Sequence, residues 1–209
     1  MKTTRKLLWA GGVLAGVLLV VLGGVWIAIG ASARGEVHDT ITQEQITGSP
    51  DMSPTAILEG IESAGLTGKI AVPTCDVAEE PVTNGTEARC FAEYMRVHAL
   101  ESTGGRTYSE MGRFLDADGK EVFTEDEAAK GPNGRPVSNP SRDLWVSQRA
   151  LATGLELAYV GEQVSLFSVA TGILFVIIGI GFLVMVIAGG ILGNPFSKGE
   201  DAAPAPPAE

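Results

Sequence analysis

"SRDLWVSQRALATGLELAYVGEQVSLFSVATGILFVIIGIGFLVMVIAGGIL", Ser141 to Leu192, runs for some fifty residues without a proline. Such a stretch can form one continuous helix, because proline is the residue that most reliably breaks one. At ~1.5 Å per residue it would reach roughly 75 Å, against about 30 Å for the hydrocarbon core of a bilayer. Its second part belongs to a run, Gln163 to Ser197, that carries no charge between Glu162 and Lys198. The helix is therefore expected to cross a membrane and to extend beyond it as a stalk.

A matching run lies at the start of the chain. Leu7 to Ala33 is uncharged between Lys6 and Arg34, and each run exceeds the ~20 apolar residues that a crossing needs. A helix of a soluble core has no reason to stay uncharged on every face for so long. Lys2, Arg5 and Lys6 crowd the amino end of the first run, the kind of excess that favours a cytoplasmic flank. Both termini are thus expected in the cytoplasm and residues 34 to 162 outside. Ala31-Ser32-Ala33 resembles a signal cleavage site, but the apolar stretch before it is longer than a signal core, which favours a retained anchor.

The expected architecture is mainly α: an antiparallel two-helix transmembrane hairpin, its second helix extended as an outer stalk, with a small α-rich extracytoplasmic domain. The segments are 1–6, a cytoplasmic N-terminus; 7–33, the first transmembrane helix; 34–140, the extracytoplasmic domain; 141–163, the stalk; 164–193, the second transmembrane helix; and 194–209, a Pro/Ala-rich disordered cytoplasmic tail.

Residue spacing suggests how the two long helices meet. Every seventh residue of the second gives Leu144, Leu151, Ala158, Ser165, Gly172, Gly179 and Val186, with Ser147, Gly154, Gly161, Ser168, Phe175 and Phe182 at the offset. The first answers with Gly12, Gly16, Leu19, Gly23, Trp26 and Gly30. Small residues in heptad register let helix backbones approach closely in lipid. Gly154 and Gly161 each cost about 1 kcal/mol relative to alanine in a helix, so close neighbours are expected there. Self-assembly through the same glycine faces is the alternative use of this seam.

Residues 34 to 162 hold 22 acidic and 11 basic residues, a poor surface for neutralising phosphates, so nucleic acid is not an expected partner. The two cysteines, Cys75 and Cys90, fall in this segment, and an extracytoplasmic setting favours a disulfide between them. The expected elements are a β-leaning patch at Thr40–Ile46, then a helix opened by Ser53-Pro54 and closed by Gly65. After these come a strand at Lys69–Val72 and a helix capped by Thr86 that ends at Gly104-Gly105. Thr107 to Glu110 reads as a capping box opening another helix. Asp116 to Gly119 reads as a turn between Phe114-Leu115 and Val122-Phe123, and Glu125-Asp126-Glu127 as a helix amino end.

Candidate chemistry is sparse. The two histidines, His38 and His98, are too few to supply a non-haem iron site and a base as well. The Cys75, Cys90, His98 spacing fits no common zinc pattern, and Asp116, Asp118 and Gly119 lack the calcium-loop register. No cofactor, metal ligand or catalytic residue is assigned. In "FAEYMRVHALESTGGRTY", Phe91, Tyr94, Met95, His98 and Ser102 share one helical face, which makes His98 first of all a packing residue. Arg106 and Tyr108 sit at the joint that follows, placed to brace the stalk or to form a contact surface.

"ARCFAEYMRVHALESTGGRTYSEMGRF", with "SPDMSPTAI", "PTC" and "LWVSQRALATGLELAY", resembles a family of two-span actinobacterial membrane proteins over residues 45 to 185. The H-A-L-E-x-T-G-G-x-T-Y run is its most specific part. The family has no established activity, and some members carry the label aromatic ring-opening dioxygenase; the histidine count argues against that chemistry here. The expected role is a non-enzymatic envelope protein acting through an unidentified envelope partner, with an enzyme using His98 as the alternative.

Overall fold

The computed structural model describes residues 2–191, with side-chain surroundings for 7–189. Met1 and the expected disordered tail at 194–209 lie outside the described residues, as do the side chains of 2–6. Four α-helices are present among the described residues: α1 (Lys2–Gln43), α2 (Ala56–Ser63), α3 (Gly85–Ser102) and α4 (Pro140–Ile191). A two-stranded antiparallel hairpin joins β1 (Phe114–Leu115) to β2 (Glu121–Val122), pairing Phe114 with Val122. The chain divides into two units, 1–32 with 165–209, and 33–164.

In the first unit α1 runs antiparallel to α4. Both helices are long and apolar enough to cross a membrane, with mean hydropathy of 2.6 and 2.8 over their most apolar windows. Only 11% of either window is buried inside the chain, so neither is the core helix of a globular domain. The pair closes on glycines. A Cβ on Gly16 would lie 3.1 Å from the Gly179 carbonyl oxygen, and one on Gly30 would lie 2.7 Å from that of Ser165. Gly23 and Gly172 face each other, and Val186 packs over Gly12. Trp26 and Phe182 are exposed rather than in the seam. Ile27 and Leu183 fill the space over Gly172 and Gly16 instead.

The second unit is built around α3. Its amphipathic inner face puts Tyr94 at the centre of a cluster with Met52, Ile57, Ile61, Val77 and Val97. Leu100 continues inward to Met111 and Trp145 of α4. Ala88 meets Ile41 of α1 and Val82, with Leu155 and Ala158 of α4 alongside. Cys75 and Cys90 are bonded, closing a loop with a sequence separation of 15. The buried Tyr94 hydroxyl donates to the Cys75 carbonyl oxygen at 2.6 Å, so Cys75 is tied to α3 twice, at Cys90 and at Tyr94.

Several local expectations are corrected. Thr40 to Gln43 is helical, because α1 continues to Gln43 and buries Ile41 against Val82 and Ala88; burial overrides the weak β preference of Thr and Ile. Lys69–Val72 forms no strand, since no neighbouring strand offers it a ladder. Asn84, not Thr86, caps α3, its side chain accepting from the Glu87 N–H at 3.0 Å. The Thr107–Glu110 capping box is present but opens only one 3-10 turn, Tyr108–Glu110. Glu125–Glu127 begins no helix; Thr124 donates to Glu127 across a turn. Gly65 does take the left-handed conformation, at φ 67°, and the Leu66 N–H folds back onto the Ile61 carbonyl at 2.9 Å, as such helix ends do.

Candidate functional site

His98 sits near the carboxyl end of α3, where the rise of the helix sets it one turn before Glu101 and Ser102. Its Nδ1–H donates to Glu101 Oε2 at 3.0 Å, and its Nε2 lies 3.7 Å from Asp51 Oδ2. Asp51 is held in turn by the Ser49 hydroxyl, which donates at 2.5 Å. Both ring nitrogens thus face carboxylates from two different segments, the loop before α2 and α3 itself. The other Glu101 oxygen, Oε1, is buried without a hydrogen-bond partner among the described residues. It lies 2.5 Å from where a Cβ on Gly60 of α2 would stand, so glycine is what lets the two helices close over the carboxylate.

Arg106 and Tyr108 are not beside His98 in this network. The Arg106 guanidinium donates to both Glu121 oxygens, at 2.6 and 3.0 Å, clamping the joint after α3 to β2. That bidentate pair, the Gly112 N–H and Asn139 together hold the Glu121 carboxyl down at about 2, burial opposing them. The Tyr108 ring lies under the Arg142 guanidinium of α4, 3.8 Å from centroid to Cζ. Each residue braces a neighbouring element, and Tyr108 keeps one side open to solvent.

A joint that the sequence did not reveal fixes α3 on α4. A Cβ on Gly85 would lie 2.7 Å from the Tyr159 Cα and 2.8 Å from the Ala158 carbonyl oxygen, so the start of α3 rests directly on the α4 backbone. Beside it the Glu162 side chain is only 7% exposed and lies 3.6 Å from the Arg34 guanidinium. Its carboxylate accepts from the Thr86 N–H at 3.1 Å, satisfying one of the N–H groups that a helix start leaves unpaired. The His38 Nδ1–H donates to the Thr83 carbonyl at 2.8 Å just ahead of it. The one usable signal in the sequence was a capping residue, Asn84, followed by a glycine.

The stalk glycines part company. Gly161 lies close to Val37 of α1, whose Cγ2 would be 3.3 Å from an added Cβ. Gly154 has no such neighbour within 4 Å, which corrects the expectation of close packing there. Opposite Gly154 the seam opens instead into a cavity of about 420 Å³, with Thr40 and Ile41 of α1 on its far side. Ile41, Ile46, Phe91, Met95 and Leu151 give it apolar walls, with Thr40 and Glu44 as its polar edge.

Among the described residues no three His, Cys, Asp or Glu side chains are grouped to hold a metal. No family model matches the chain, and neither a curated protein nor a solved structure does.

Proposed function

We propose that the chain is a non-enzymatic integral membrane protein of the cell envelope, an accessory or interaction component. In this reading α1 and the later part of α4 cross the membrane, both termini are cytoplasmic, and residues 34 to 163 stand outside as the contact domain. One observation carries the reading: two closely paired apolar helices lead into a disulfide-bonded unit whose reactive-looking side chains are engaged in holding it together. His98 spans two carboxylates, Arg106 clamps Glu121, and Tyr108 supports Arg142. The basic residues ahead of Leu7 support the orientation, following the usual excess of lysine and arginine on cytoplasmic flanks.

The test has two arms. A cysteine placed at Asp118, in the exposed hairpin turn, should react with a membrane-impermeant maleimide on intact cells. Reaction only after permeabilisation would overturn the topology. Purification of the tagged protein in mild detergent should bring a stoichiometric envelope component with it. His98→Ala should then lower thermal stability and leave that association intact. Loss of association in His98→Ala at unchanged stability would move His98 from a packing residue to a working one.

A further inference from the structure

Gly154 has no packing neighbour to account for it. Glycine inside a helix is unfavourable relative to alanine, and it is retained where something must come close. Apart from its own stretch of α4, no atom of the described chain lies within 4 Å of a Cβ built there. What Gly154 borders is the cavity of about 420 Å³, and a larger side chain at this position would take up part of that space. The volume falls within the ~300–1,000 Å³ of sites that hold small molecules, which are mostly apolar with a few convergent polar groups. The walls have that make-up. Phe91 and Met95, a turn apart on α3, line the cavity with Leu151 and Leu155, a turn apart on α4. Met95 is 8% exposed and Leu151 63%, so the space reaches from the core of the unit to its surface.

The polar edge carries a single sign of charge. Thr40 lies in the last turn of α1 and Glu44 just past its end, where the helix dipole is negative. No basic residue stands in that last turn, and none lines the cavity. The Glu44 carboxylate makes no ion pair or hydrogen bond among the described residues. A phosphate or carboxylate head would therefore meet only acid and the negative end of a helix, whereas an ammonium head would meet its complement.

We infer that the cavity is a binding site for an amphiphile with a cationic amino head and an apolar body. The body lies among Phe91, Met95, Leu151 and Leu155, and the ammonium group sits at Glu44 with the Thr40 hydroxyl as a second acceptor. At the ~30 Å³ that a water-sized group fills in a liquid, the space takes a chain of roughly twelve carbons. Every residue of the site belongs to the 33–164 unit, so the inference does not depend on the topology proposed above.

Photolabelling of the full chain in nanodiscs tests this, with a dodecylamine that carries a diazirine on its chain. Adducts should fall on the segments holding Phe91 and Met95 and holding Leu151 and Leu155. Unlabelled dodecylamine should remove them, and dodecanoate should not. Glu44→Gln should weaken the competition by dodecylamine about fivefold, the upper range for a charge pair near the surface. Glu44→Lys, a change at an exposed side chain, should reverse the preference in favour of dodecanoate. Gly154→Leu should abolish the adducts while the melting temperature stays at or above that of the parent. Adducts confined to residues 7–33 and 164–191 would mean that the probe dissolves only in the bilayer, and would overturn the inference. Equal competition by dodecanoate, or undiminished labelling of a folded Gly154→Leu, would overturn it as well. None of these outcomes bears on maleimide labelling at Asp118, so the site and the topology fail separately.

Discussion

Gly23 and Gly172 approach so closely that a Cβ on either would lie 2.6 Å from the carbonyl oxygen of the other. The contact is reciprocal, and the same exchange recurs between Gly16 and Gly179, at 3.1 and 2.9 Å. Each glycine thus turns a Cα–H toward a facing carbonyl, a weak attraction that becomes available only when no side chain stands in between. Gly23→Ala should therefore destabilise the helix pair by about 1–3 kcal/mol, the usual range for forcing an extra methyl into a packed site. Gly24 supplies the control, because a Cβ there meets nothing within 4 Å. Gly24→Ala should be neutral or slightly stabilising. Unfolding both variants in the same detergent compares them, and equal stability would mean that the glycine pairs do not hold the helices.

Gly154 leads to the opposite expectation. Its surroundings are open, so Gly154→Ala should gain the helix preference of alanine, about 1 kcal/mol, with nothing to offset it. Gly154→Leu should partly fill the neighbouring cavity and leave folding intact. At Gly161, by contrast, the methyl would press on Val37 at 3.3 Å, and Gly161→Ala should forfeit that gain. A higher melting temperature for the first variant and not for the third is the expected order.

The contrast between these glycines marks what sequence could and could not convey. Heptad spacing located Gly16, Gly23, Gly172 and Gly179, because a helix turns by a fixed amount per residue and two long helices in register must meet along a fixed line. The spacing could not say where the two helices part. α1 still runs at the level of Gly154, Thr40 and Ile41 lining one cavity with it, so the gap there comes from helix separation rather than from period. The candidate site divides in the same way. The periodicity of α3 placed Tyr94 and Met95 inward, whereas the partners of His98, Arg106 and Tyr108 come from the loop before α2, from β2 and from α4. Those contacts join distant parts of the chain, and no local pattern encodes them. In the sequence Glu162 is only the boundary of an apolar run, whereas in the fold it also anchors the start of α3.

The disulfide and Tyr94 act on one loop. Breaking the Cys75–Cys90 bond should cost roughly 3 kcal/mol for a loop of this length. Tyr94→Phe should cost about 1 kcal/mol, by stranding the Cys75 carbonyl. Because both tie down the same segment, their effects should not add: in the reduced protein the loop is already loose, and Tyr94→Phe should matter less. Thermal unfolding of the two forms, each with and without reductant, gives the coupling directly. Full additivity would mean that the hydroxyl and the bridge stabilise separate parts of the unit.

Acid should weaken the joint after α3. The Glu121 carboxyl is held at about 2 against an ordinary 4.5, chiefly by the Arg106 guanidinium. A carboxyl whose pKa is lowered on folding binds its proton more readily when unfolded, so its contribution is fully present above pH 4.5. It is lost as pH falls from there toward 2. Glu121→Gln should accordingly be less stable than the parent at neutral pH, and the gap should narrow through that window as the parent loses the same interaction. Arg106→Gln should behave alike. Melting temperatures followed from pH 7 to pH 2 test this. Parallel curves for parent and Glu121→Gln across the acid range would show that the Arg106 pair contributes nothing to folding.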